Sequence, residues 1–222
     1  MDEIALGDRL TVLRPGLLAE RRACATLVVC GAAQGMTSVL SYALVRAGIF
    51  LGDRLDRLNH EDTAFRRLLL GPGRQGPLAD IPPLRGLIDA RDAAHVRWGF
   101  KLPRAILHLD ELEPMLRAPV IVVGLRNPMA IMRSIRERGI EGHEDGLWLL
   151  RKGLAAHAAL DAMAARVAAP LILCDMDTAR ADPAAFLDAL FAALDIAVDP
   201  APIAAEIALS GYRELPPRPD GI

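Results

Sequence analysis

The chain alternates between short runs that are apolar throughout and longer stretches in which apolar residues return every three or four positions. Residues 25–30 (ATLVVC), 119–125 (PVIVVGL) and 170–174 (PLILC) are too short for helices and apolar on both faces. Runs of that kind suit strands of a parallel sheet covered on both sides. A weaker strand is expected over residues 95–100. Helical patterns fill the intervals. Residues 37–47 follow the first strand directly, and residues 59–70 open on Asn59 as N-cap with acidic residues in the first turn, which suit the helix dipole. Asn127-Pro128 pairs a cap with proline at the first helical position and opens a helix toward Arg138. Residues 146–167 form a long Ala/Leu-rich helix, and Asp182-Pro183 opens another that runs to Leu194.

Strands alternating with helices predict an α/β fold, with a mostly parallel central sheet of about four or five strands. The whole chain, 1–222, is expected to form one domain, with its core over about 26–196 and a Pro-rich tail at 214–222. The Gly/Pro-rich stretch 71–77 is expected to be a surface loop. Ligands in such sheets bind at the carboxyl ends of strands, so the residues after each strand matter most.

Composition narrows the function classes. A hydrophobic fraction of 52% is too high for intrinsic disorder, and a net charge of -2 argues against a nucleic-acid binder that grips through bulk positive charge. No apolar run is long enough to span a membrane, and the acidic start Met1-Asp2-Glu3 differs from a signal peptide; a cytoplasmic protein is expected. Cys24, Cys30 and Cys174 show no C-x-x-C spacing, so a disulfide framework and a zinc site are both disfavoured. Of the 26 basic residues only Lys101 and Lys152 are lysine. A lysine kept in so arginine-rich a chain suggests a need for a compact point charge.

Three segments carry candidate chemistry. The first strand runs through Gly31-Ala32-Ala33-Gln34-Gly35-Met36-Thr37-Ser38 into a helix, a turn whose free N–H groups and positive helix end favour an anion. It departs from the Walker A pattern, having Met36-Thr37-Ser38 where Gly-Lys-Ser/Thr would stand, and the 119–125 strand ends without a magnesium-holding aspartate. ATP hydrolysis is disfavoured. At the end of that strand stands Arg126, then Asn127-Pro128, with Ser134 eight positions beyond the arginine. A strand-end arginine can fork onto a phosphate while a hydroxyl completes the cradle. The weak strand closes on Lys101-Leu102-Pro103.

In order and spacing these pieces resemble the P-loop sulfotransferase superfamily, which moves a sulfuryl group from 3′-phosphoadenosine-5′-phosphosulfate (PAPS). The family's first loop, G-x-x-R-S-G-T-S/T, is matched by Gly31, Thr37 and Ser38; its R-x-P and later serine by Arg126, Pro128 and Ser134; its K-x-P by Lys101 and Pro103. Residues 47–53 (AGIFLGD) resemble the bacterial branch, and residues 171–196 resemble the family's usual ending. Gln34 replaces the loop's basic residue and Met36 its second glycine.

The resemblance implies a P-loop NTPase-like three-layer α/β/α fold and PAPS as co-substrate, with no metal. Gln34, Gly35, Met36, Thr37 and Ser38 would hold the phosphosulfate, and Arg126 with Ser134 the 3′-phosphate. Lys101 would neutralise the leaving oxygen, and the general base would come from His60, Glu61 or Asp62, with Glu61 first. The partner would be a hydroxyl-bearing small molecule, lipid or carbohydrate. Two alternatives stand beside this one: a non-catalytic nucleotide-binding scaffold, motivated by Gln34 and Met36, and a small-molecule kinase, which the missing Walker lysine opposes. His95, His108, His143 and His157 are expected on surfaces or helix faces, and Trp98 and Phe100 in the core.

Overall fold

A computed structural model describes residues 4–72, 76–139 and 145–210. The tail at 214–222, His143 and part of the 71–77 loop lie outside the described residues. The strands are β1 (Ile4–Leu6), β2 (Leu10–Leu13), β3 (Thr26–Gly31), β4 (Trp98–Lys101), β5 (Pro119–Leu125) and β6 (Leu171–Asp175). They form one sheet in the order β1-β2-β6-β5-β3-β4. β6, β5, β3 and β4 are parallel, and β2 and β1 add an antiparallel edge.

Alternation along the central strands divides the core into two layers. Val28 and Cys30 of β3 and Ile121 and Val123 of β5 face one way. Leu27, Val29, Val120 and Val122 face the other. The first face packs against α3 (Thr63–Leu70), α4 (Pro82–Ala94), α6 (Pro128–Glu137) and α7 (Gly146–Ala164), together with the turns around α5 (Leu109–Leu112). The second packs against α1 (Pro15–Arg21), α2 (Thr37–Arg46), α8 (Met176–Ala181), α9 (Pro183–Leu194) and α10 (Ala201–Ala208). The result is a three-layer α/β/α sandwich. Trp98 and Phe100 are core residues, with Phe65 stacked on Phe100 at 3.8 Å between ring centroids. Cys30 and Cys174 are buried thiols whose pKa values burial pushes up.

Two expectations need correction. The sheet has six strands rather than four or five. The two extra strands form the β1–β2 hairpin; its first strand, Ile4–Leu6, is exposed throughout and so carries no alternating signal. Leu10 and Leu18 near one end of the chain, and Ile203 and Ile207 near the other, are buried as well. Asn59 is also not a helix cap. Asp56 accepts from the N–H groups of Leu58 and Asn59 at 3.0 and 2.8 Å, which closes a turn instead. The helix begins at Thr63 with Asp62 as its cap, accepting from Ala64 and Phe65 at 2.9 and 3.2 Å.

The other caps fall where the sequence places them. Asn127 accepts from Met129 N–H at 2.9 Å and Asp182 from Ala185 N–H at 3.1 Å, each before a proline that has no N–H to satisfy. No helix among the described residues is long and apolar enough to cross a membrane.

Candidate functional site

β4, β3 and β5 are neighbours in the sheet, and each delivers one part of the site at its carboxyl end. β3 pairs with its successor β4 on one side and with β5 on the other. The strand order therefore reverses at β3, and such a crevice is where α/β sheets hold ligands.

The central part is the loop from β3 to α2. Gly31 and Gly124 lie against each other at the strand ends, and a Cβ on Gly31 (φ +142°) would sit 2.4 Å from the Gly124 carbonyl oxygen. The loop then turns tightly, with Gly35 N–H donating to the Ala32 carbonyl at 3.0 Å. Gln34 (φ 63°) and Met36 (φ 58°) both occupy the left-handed region, where a side chain costs energy and glycine does not. Met36 is the N-cap of α2, and no side chain caps that helix. Val39 N–H donates back to the Met36 carbonyl at 2.9 Å; the N–H groups of the first turn before it meet no capping side chain and suit an anion.

On the β4 side stands Lys101, with only 1% of its surface exposed. Its Nζ donates to the Asn59 carbonyl at 2.5 Å and lies 3.8 Å from Glu61 Oε1. Burial disfavours the ammonium and lowers its pKa from 10.5 to about 8, against opposing pulls from Glu61 and Asp56. The same Asn59 carbonyl accepts from Ser38 Oγ at 3.4 Å, so one backbone oxygen links the lysine to the start of α2.

The three base candidates separate. His60 is fully buried, with Nδ1 3.3 Å from both Ser41 Oγ and the Ser38 carbonyl oxygen. Asp62 is also fully buried; besides capping α3 it accepts from Arg91 Nη1 at 2.5 Å. Both are tied into the scaffold. Glu61 keeps 18% of its side chain exposed and lies nearest the lysine.

On the β5 side, Arg126 Nη1 donates to the Gln34 carbonyl at 3.0 Å, which ties the arginine to the loop. Its Nε lies 3.7 Å from Asp177 Oδ1, and Asp177 also accepts from Asn127 N–H at 2.7 Å. Ser134 sits half-buried on α6, and no hydrogen bond joins it to Arg126. Sequence reasoning missed Asp177, although it follows a strand end just as the other site residues do. It also missed the cavity of about 400 Å³ beside Arg126, which Arg9, Thr11, His157 and Asp175 help to line. That cavity exists because the β1–β2 turn closes over the end of β6. Among the described residues no group of three or more His, Cys, Asp or Glu side chains could hold a metal ion.

A parallel sheet with its strand order reversing at β3, a β3–α2 loop with an uncapped helix start, and basic side chains on both flanks define a P-loop-type sandwich. More narrowly, the fold is that of the sulfotransferases. The structure aligns with the crystal structure of a sulfotransferase from Alicyclobacillus acidocaldarius at a TM-score of 0.51 and 14% identity, over 86% of this chain and 97% of that one. It aligns with the sulfotransferase domain of the Synechococcus PCC 7002 olefin synthase at a TM-score of 0.54 and 17% identity, over 79% of this chain and 74% of that one. No family model matches the sequence. No curated protein matches it either.

Proposed function

We propose that the chain transfers a sulfuryl group from PAPS to the hydroxyl of a small molecule or carbohydrate. One observation carries this reading: Lys101, the uncapped start of α2 and Arg126 converge on the ends of three adjacent strands. Sulfuryl transfer demands in-line placement and stabilised oxygens more than covalent help from the protein. The residues suit the co-substrate. Gly35, Thr37 and Ser38, at and before the start of α2, receive the 5′-phosphosulfate, and the Gln34 side-chain amide donates where the family has a basic residue. Arg126, with Ser134 beyond it, receives the 3′-phosphate.

In the reaction the bond from sulfur to the bridging oxygen breaks as the acceptor oxygen bonds to sulfur. The electron pair stays on the phosphate oxygen, where the Lys101 ammonium neutralises it. Glu61 takes the acceptor's proton. An ammonium has three N–H groups, so the hydrogen bond to Asn59 leaves Lys101 with donors for the leaving oxygen.

Gln34 and Met36 favour a second reading, a scaffold that binds 3′-phosphoadenosine-5′-phosphate (PAP) without turnover. Calorimetry with PAP and with ATP, followed by a turnover assay with PAPS, tests both. PAP binding with turnover upholds the enzyme, and PAP binding without turnover the scaffold. Preference for ATP would overturn both.

A further inference from the structure

A second basic site lies across Asp62 from Lys101. Asp62 joins the two places: its N–H donates to the Lys101 carbonyl at 3.0 Å, and its carboxylate accepts from Arg91. Arg91 comes from α4 and is 4% exposed. Its guanidinium carbon sits 5.4 Å from the Phe50 ring, 5.2 Å from Phe65 and 5.4 Å from Trp98. Gly52 makes this packing possible, because a Cβ there (φ +136°) would fall 2.5 Å from Asp62 Oδ2. Asp62 satisfies only Nη1 of the arginine. Nε and Nη2 are buried without a hydrogen-bond partner among the described residues. Arg91 is the one arginine among the described residues with two such nitrogens, and buried donors in that state call for a ligand or a role.

Arg91 also lines a cavity of about 350 Å³, together with Asp53, Arg54, Thr63, Ala64 and Arg67. Arg54 and Arg67 are exposed and pair with no carboxylate among the described residues. The Asp53 carboxylate lies 3.7 Å from Arg91 Nη2, but its side chain is 74% exposed, so it can move aside. Asp62 and Asp53 both face Arg91, so Arg54, Arg67 and Arg91 outnumber the carboxylates around them and the pocket keeps a net positive charge.

We propose that this pocket binds a compact anionic group, either a carboxylate or a phosphate or sulfate monoester, at a site separate from the β3–α2 loop. Arg54 and Arg67 grip the anion from the mouth, and Arg91 offers its remaining donors from the floor. Asp53 holds the place of the anion until one arrives. The claim is independent of the sulfotransferase reading, since it involves none of the residues assigned to PAPS.

Backbone amide NMR on the full chain at low ionic strength, titrated with inorganic phosphate and separately with acetate, tests the site. Saturable shifts are expected at the amides of Arg54, Thr63, Ala64 and Arg67 for at least one probe. The stronger of the two names the class, phosphate for a monoester and acetate for a carboxylate. R54Q with R67Q should weaken that binding at least fivefold, both positions being exposed and harmless to folding. D53N should tighten it severalfold, and R126Q should leave it unchanged. Shifts that never saturate at these amides overturn the proposal, as does binding that survives the double substitution. Loss of binding in R126Q would also overturn it, by assigning the anion to the nucleotide loop. Failure of PAP to bind the parent chain would fall on the sulfotransferase reading alone.

Discussion

Lys101 and Arg126 flank the same loop from opposite sides, yet the fold treats their charges differently. Arg126 closes β5 against two acceptors, the Gln34 carbonyl and the Asp177 carboxylate. A guanidinium does not titrate, so it keeps its charge at any working pH. Lys101 is sunk deeper, holds a neutral carbonyl at 2.5 Å and meets its nearest carboxylate only at 3.8 Å. Desolvation brings its pKa to about 8, near working pH. A fixed charge suits a group that is negative throughout the reaction. A desolvated, adjustable charge suits an atom whose charge grows only as a bond breaks. On the proposed function, the contrast gives binding to the arginine and chemistry to the lysine.

The strongest way to break that division is Lys101→Met. On the proposed mechanism kcat falls roughly 10²–10³-fold, the usual cost of removing one group that stabilises charge in a transition state. PAP affinity should change by less than about threefold, since the leaving oxygen is not yet bare in the ground state. Equal losses in rate and affinity would make Lys101 a plain binding residue.

Arg126→Ala should show the reverse split. A buried charge-assisted contact to phosphate is worth about 1.5–3 kcal/mol, so PAP affinity should drop about 10- to 150-fold, measured by calorimetry. An unchanged affinity would remove the arginine from the 3′-phosphate site.

A smaller effect comes from pH. The folded-state pKa of Lys101 lies below its ordinary 10.5, at about 8. Between those values the unfolded chain holds more protons than the folded one, so the lysine's contribution to stability rises with pH across that window. Below about 8 both states carry the charge, and its burial cost is fully present. Urea unfolding from pH 8 to 10.5 should therefore show a rise in the parent that Lys101→Met lacks. Parallel profiles would mean that the amine is better solvated than its surroundings suggest.

Most of this site was legible because its parts follow strands. The 119–125 run predicts β5 to the residue, and with it the place of Arg126. The scarcity of lysine singled out Lys101 before any contact was known. What stayed hidden depends on contacts distant in sequence. Nothing near Asp62 says that Arg91, from another helix, will claim its carboxylate, and so residue type alone kept Asp62 and His60 as base candidates behind Glu61. Asn59 resembled a cap because caps are recognised by residue type, whereas the Asp56 turn that displaced it depends on where a carboxylate points. The β1–β2 hairpin lacked a signal for a different reason: an exposed edge strand needs no apolar face.

The loop between the two cations allows the gentlest test. Gln34 and Met36 both hold left-handed backbone, so Met36→Gly relieves strain that the methionine now bears. The change also removes a half-buried side chain packed against the core. Each of these opposing effects is about 1 kcal/mol, so stability should move little. Gln34→Arg adds a charge beside the phosphosulfate position while leaving the strain at residue 34. Together the two substitutions should tighten PAPS binding about two- to fivefold at low salt, the worth of a partly exposed ion pair. Added salt should erase the gain by screening it. If affinity is unchanged at low salt, the start of α2 does not hold the phosphosulfate. Arg126 would then be left gripping a nucleotide whose reactive end lies away from Lys101, and the scaffold reading would take precedence over the enzyme.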